Sequence, residues 1–254
     1  MSLDIQQQTA DSNTDIREKG RRNGQTITSD RRLFVQFLTF GGCRNIKAVS
    51  AALEEAAIPG ALYSDINDAR GIGLAVYSED PDFFVTTLRN TLAGTTLGAL
   101  TPKPEYTMLG RSYAIGYESD LEETLIRRPI RRLTDPALRW VVWYPVRRSG
   151  RFQQLSADEQ RTILMEHGGI GRSFGKAGLA HDIRLACFGL DKNDNDFVIG
   201  LVGSDLFPLS SVVERMRKTR QTAEFLTNLG PFFVGKVAWQ SKLPDIQEET
   251  DDAS

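Results

Sequence analysis

Two stretches of this chain carry the same succession of local patterns, and that repetition narrows the fold more than any single element does. In the first, residues 32–40 form a run of Leu, Phe, Val and Thr suited to a strand. Residues 46–57 have apolar side chains at helical spacing that stop before Pro59-Gly60. Two strand-like runs follow, 60–66 and 71–77, joined by the turn-prone pair Asn67-Asp68. A helix is predicted from Asp80, which can cap it with Pro81 at the first helical position, to about residue 92; a strand around 106–117 closes the unit. In the second stretch residues 138–144 read as a strand. Ser156-Ala157-Asp158-Glu159 is a capping box opening a helix to about residue 167, where small residues end it. Residues 183–190 and 197–202 are strands around a turn at 191–195, 208–225 is amphipathic, and 232–239 is the last strand.

The order in both copies is strand, helix, strand, strand, helix, strand, which is a ferredoxin-like unit. An antiparallel sheet with helices on one face must cover its other face, and a second copy of the same sheet is the economical cover. The expected fold is therefore α+β, duplicated ferredoxin-like units forming a dimeric α+β barrel. The chain divides into an N-terminal repeat at 31–118, a linker at 119–137 and a C-terminal repeat at 138–240. Residues 1–30 and the acidic tail 241–254 have few large apolar groups to offset the entropy of ordering, and both are expected to be mobile.

Charge and cysteine usage remove several function classes. The formal net charge is −2, so a phosphate backbone meets no long-range attraction and a nucleic-acid partner is disfavoured. Cys43 and Cys187 form neither a CxxC pair nor a disulfide framework. With no apolar leader segment and no membrane-length apolar run, the expected setting is cytoplasmic, without a membrane span.

Imidazole chemistry has only His167 and His181 to draw on. His167 lies four after Ile163 and three after Leu164, on the apolar stripe of its helix, and Gly168, Gly169 and Gly171 follow, leaving room for something flat to approach the backbone. Spacing alone fits either a buried structural histidine or a ligand. His181 reads as structural. Tyr144 shares a strand face with Trp140 and Val142. Arg127, Arg128, Arg131 and Arg132 precede that strand and Arg147, Arg148 and Arg151 follow it. Guanidinium groups suit bidentate carboxylate contacts, although most of the seven are expected at the surface.

Several ordered motifs, Trp143-Tyr144-Pro145-Val146-Arg147-Arg148, Glu166-His167-Gly168, Gly171-Arg172, Gly189-Leu190-Asp191 and Gly230-Pro231-Phe232-Phe233-Val234-Gly235, resemble the chlorite dismutase-like haem family, which includes the coproheme decarboxylases of haem synthesis. The resemblance covers about residues 138–239. It implies the same barrel, commonly assembled as a homopentamer, with an iron porphyrin (haem b or coproheme) in the C-terminal repeat and His167 as its proximal ligand. The family orients that histidine with a glutamate. Counting back ten from Pro231 gives Gln221 here, with Glu224 or a water as the alternative.

Tyr144 matches the tyrosine of the decarboxylases' Tyr-Pro motif, whose radical takes a hydrogen from a propionate. Arg148 stands where they have lysine. The implied cofactor contacts are Arg131, Trp140, Arg148, Met165, Gly168 and Gln221. The oxidant side of the iron falls to Asp182 or Arg184, which share a strand face, with the register open by one pleat. The activity implied is peroxide-dependent conversion of coproheme propionates to vinyl groups. The alternatives are chlorite breakdown to chloride and dioxygen, haem binding or delivery without turnover, and a haem-free barrel.

Overall fold

The computed structural model describes residues 14–243. The first repeat runs β3 (Phe34–Gly41), α1 (Ile46–Glu55), β4 (Gly60–Asp65), β5 (Ile72–Ser78), α2 (Asp82–Val85), α3 (Thr87–Gly94), β6 (Thr101–Pro102) and β7 (Met108–Arg111), behind a hairpin of β1 (Glu18–Arg22) and β2 (Gln25–Ser29). The connector holds α4 (Arg128–Thr134). The second repeat runs β8 (Trp140–Arg148), α5 (Gly150–Gln153), α6 (Ala157–Lys176), β9 (His181–Ala186), β10 (Phe197–Gly203), α7 (Leu206–Arg217), α8 (Arg220–Phe225), β11 (Leu226–Leu229) and β12 (Phe233–Gln240).

The duplicated architecture holds. In the first half the strands lie in the order β7-β3-β5-β4, in the second β9-β10-β8-β12, the same arrangement with each neighbour antiparallel. The halves join along two seams and close the sheet on itself, because β8 pairs with both β10 and β12. One seam, β4 with β12, has five paired positions. The other, β7 with β9, has one, Arg111 opposite Ala186.

Alternation sends one set of side chains inward from both halves, where Phe37, Tyr63, Trp143, Leu185 and Phe233 form one buried cluster. Phe37 stacks on Trp143 at 5.2 Å and meets Phe233 edge-on at 5.0 Å. Glycine at position 200 is required by this packing: a Cβ there would stand 2.7 Å from the Trp143 ring. Gly200→Ala is expected to cost about 1–3 kcal/mol by overpacking, seen as a lower urea midpoint at unchanged m-value. The outer faces are covered separately, by α1 to α3 over the first half and α6 and α7 over the second.

Several boundaries differ from those the sequence suggests. Residues 18–29 of the arm expected to be mobile form a hairpin, turning at Asn23-Gly24 with positive φ at both (51° and 81°) as a two-residue hairpin turn demands. The hairpin is tied down by Arg21 N–H donating to Glu118 O and by Glu18, whose carboxylate accepts from Arg111 and from the Ala114 N–H. Residues 1–13 and 244–254 of the two expected tails lie outside the described residues. At the start of the tail, Ser241 exchanges hydrogen bonds with Gly60. The 119–137 segment is helical over much of its length, and Leu121, Leu125, Ile126, Ile130 and Leu133 enter the central cluster. The helix expected at 80–92 breaks at Thr86, whose hydroxyl donates to Asp82 O.

The glycines after His167 do not end α6. The helix continues nine residues to Lys176 and stops at Gly178, which takes positive φ (67°) while Leu179 N–H donates to Phe174 O. That is the helix-terminating geometry glycine favours. The start is as the sequence predicts, with Ser156 and Glu159 forming a complete capping box.

Candidate functional site

Between the outer face of β8, β9, β10 and β11 and the inner faces of α6, α7 and α8 lies a cavity of about 540 Å³. This falls inside the range of roughly 300–1,000 Å³ usual for small-molecule sites. Tyr113, Ile115 and Tyr117, from the segment after β7, complete one wall, so the first half contributes to a site carried by the second.

The sheet supplies its groups in rows. Tyr144 on β8 pairs across Ile199 on β10 with Arg184 on β9, and all three line the cavity. The next row is Val146 and Phe197; Arg148 extends past it. Asp182 belongs to the row of Val142 and Leu201 and is absent from the lining. Of these two neighbours on one strand face, the register brings Arg184 to the cavity and leaves Asp182 outside it. Asp182 instead holds Arg184 by an ion pair of 3.0 Å and accepts from Arg132.

The helix supplies its groups in a stripe. Ala157, Gln160 and Arg161, Leu164 and Met165, Gly168 and Arg172 recur every three or four residues along α6, with His167 beside them. Leu164 and Met165 are apolar yet exposed because the stripe faces this opening. Gly168 gives the Arg172 guanidinium its place, since a Cβ there would stand 3.3 Å from Nη1.

The electrostatics are one-sided. Arg148, Arg161, Arg172, Arg184 and Arg217 line the cavity, and among the described residues no Asp or Glu does. Arg148 lies between the rings of Phe152 and Phe197, 4.8 and 4.7 Å from their centroids, and has no carboxylate ion pair among the described residues. Its Nε is buried without a partner, and burial pulls its pKa below the usual range. A concave surface of this kind attracts an anion with several carboxylates. Tyr144 is buried, stacked on Phe232 at 4.7 Å; burial first, then the Asp182 charge, raise its pKa, so the phenol is protonated at neutral pH.

Burial, followed by the charges of Arg148 and Arg184, lowers the His167 pKa to about 4. The ring is neutral at pH 7, as a metal ligand must be. The unfolded chain, with its histidine near the ordinary 6.5, binds more protons between pH 6.5 and 4, so stability falls as pH drops through that window. The loss attributable to His167 is about 3 kcal/mol. Urea unfolding of the parent and His167→Gln at pH 7.5 and 4.5 checks this: most of the effect falls between these pH values, so the substituted chain is expected to lose about 2.5 kcal/mol less on acidification, and equal losses would refute it.

Of the residues singled out from sequence, Tyr144, Arg148, Met165, His167, Gly168, Arg184 and Gln221 converge on this cavity. Three do not. Arg131 is exposed and paired with Glu123 at 2.6 Å, and it is absent from the cavity lining. Trp140 is two pleats from Tyr144, beyond the cavity floor, with the Lys236 ammonium 5.4 Å from its ring. Asp182 is one pleat out, as described. Gln221 reaches the cavity but not the histidine: the Nδ1 atom of His167 meets the Thr219 hydroxyl at 3.1 Å, and Gln221 Oε1 is buried without a partner. Glu224 pairs with Arg220. Sequence reading also missed Tyr113, Tyr117, Arg217 and Thr219. The α6 stripe was legible as a second face of that helix; nothing local marked the others.

A family profile described as chlorite dismutase matches residues 67–238. Among solved structures, the chain is similar to a haem-binding protein from Thermus thermophilus (19% identity, 82% of this chain and 91% of that one, TM-score 0.62). It is similar also to a mutant chlorite dismutase from Candidatus Nitrospira defluvii (15% identity, 82% and 92%, TM-score 0.64) and to the chlorite dismutase of that organism in complex with imidazole (14%, 83% and 93%, TM-score 0.61). Among the described residues no helix is long and apolar enough to cross a membrane.

Proposed function

The chain belongs to the chlorite dismutase family, and from that premise we propose that it is a haem-dependent coproheme decarboxylase of haem biosynthesis, consuming hydrogen peroxide. The carrying observation is the cavity lining: five guanidinium groups and no carboxylate surround a neutral imidazole and a buried phenol. An iron porphyrin fits that donor set. His167 would hold the iron through the ring nitrogen not engaged by Thr219. Arg148, Arg172 and Arg217 are placed for propionates, and a tetracarboxylate uses more of the positive lining than a dicarboxylate does. Met165 and Gly168 form the adjoining wall.

When bound, the iron porphyrin supplies peroxide reduction. The chain's part is to hold the propionates, to keep the Tyr144 phenol protonated and shielded, and to pass its hydrogen. Tyr144 Oη gives up a hydrogen and recovers one from a propionate carbon. For each side chain the balance is R–CH2–CH2–COOH plus H2O2 to R–CH=CH2, CO2 and two H2O, so the propionate is oxidised and peroxide reduced.

The test is to add coproheme and a slight excess of peroxide and follow the porphyrin by mass. Two successive carboxyl losses support the reading; an unchanged mass with a bound porphyrin refutes turnover and leaves a binding protein. One observation favours a second reading. Arg184, half-exposed in the Tyr144 row, is suited to an anionic oxidant such as chlorite. Dioxygen release from chlorite that disappears in Arg184→Ala would support it. Cytoplasmic location and assembly as a homopentamer belong to the same proposal.

A further inference from the structure

We propose that Thr219 is a positioning residue that fixes the tautomer of His167, with a neutral hydroxyl in the place where a carboxylate would push electron density onto the ring. The inference rests on His167 being the iron ligand and concerns what aims and tunes it.

Thr219 stands at the junction of α7 and α8, 2% exposed. A threonine at a helix start ordinarily turns its oxygen to the first free N–H groups of its own helix. Here it makes no such cap. Its single hydroxyl proton goes to the Met216 carbonyl at 2.7 Å, an atom that can only accept, with the Thr222 hydroxyl a longer contact at 3.4 Å. The oxygen that faces His167 Nδ1 at 3.1 Å is therefore an acceptor, and Nδ1 must carry the ring proton. Nε2 is left with its lone pair in the ring plane on the opposite side. The proton position follows from the carbonyl three residues earlier in the chain, through one hydroxyl.

The groups around the ring agree. The nearest carboxylate on the same helix, Glu166, accepts from Arg220 N–H, and the buried Gln221 Oε1 has no hydrogen-bond partner, the imidazole included. A hydroxyl that has already donated its proton is a weaker acceptor than a carboxylate. The imidazole is aimed without being made strongly basic, so iron held by it is less electron-rich than with a carboxylate partner.

The experiment uses the full chain labelled with ¹⁵N-histidine, without and with ferric haem. His181→Gln assigns the signals. Without haem at pH 7.5, His167 in the parent and in Thr219→Ser is expected to show the Nδ1–H tautomer. Thr219→Val and Thr219→Ala are expected to shift it to a mixture containing Nε2–H. Haem titration followed at the Soret band is expected to show affinity about 10–100-fold weaker for the Val and Ala variants, with Ser within about threefold of the parent. Retention of a pure Nδ1–H tautomer in a folded Val or Ala variant overturns the inference, as does an Nε2–H parent. Should the tautomer shift as stated while the parent takes up no haem, Thr219 keeps its role on the ring and the porphyrin reading fails instead.

Discussion

On the proposed decarboxylase reading, Tyr144→Phe is expected to bind coproheme as tightly as the parent and to decarboxylate it at least about a hundredfold more slowly, the scale on which loss of a proton-transferring group acts. Binding survives because the phenol's contribution to packing is its ring. That ring lies at 24° to Phe232 at 4.7 Å, and Phe keeps this stacking. The hydroxyl faces the cavity and has no hydrogen-bond partner among the described residues, so its removal leaves no protein group unsatisfied. Stability should thus move by no more than about 0.5 kcal/mol. Single-turnover mass analysis with peroxide separates the steps. A variant as fast as the parent would remove Tyr144 from the chemistry without disturbing the binding site.

His167→Ala has the larger effect on binding. With no other imidazole, thiolate or carboxylate on the cavity surface among the described residues, the variant would leave iron held as proposed without its protein ligand, and porphyrin affinity should fall by more than the roughly 10–100-fold typical of losing a ligand's partner. The arginines remain, so an iron-free tetracarboxylate porphyrin should bind both chains within about threefold. That control distinguishes a lost ligand from a collapsed pocket. Equal Soret titrations for parent and variant would place the iron elsewhere.

How much of this was legible in the sequence depends on the range of the interaction. The barrel could be read because each repeat writes its own strand and helix periods locally, and the pairing of the copies follows from the apolar faces they leave. That Tyr144, His167 and Arg148 would meet in one cavity was implied by the family resemblance, which rests on motifs that are local too, whereas spacing alone left His167 open between a structural role and a ligand. The Asn23-Gly24 hairpin was equally local and was obscured by the polar composition around it. The choice between Asp182 and Arg184 was not legible. It turns on the pairing of β9 with β10, a contact between distant residues that shifts by one position with every insertion in the preceding loop. Thr219 was hidden for a different reason: counting along one helix points to Gln221, whereas the break between α7 and α8 puts a residue two earlier beside the ring. Tyr113 and Tyr117 come from the other repeat and have no signature in the part of the chain where the cavity is built.

The unequal seams of the barrel bear on where it yields. Five paired positions bind β4 to β12, and one binds β7 to β9. Thermal breathing of a closed sheet starts where the fewest hydrogen bonds must break. The strand ending at Arg111 leads directly into the wall formed by Tyr113, Ile115 and Tyr117. On the porphyrin reading, loosening of that join would widen the way in for a rigid, planar guest, while the opposite join would keep the two halves hinged together.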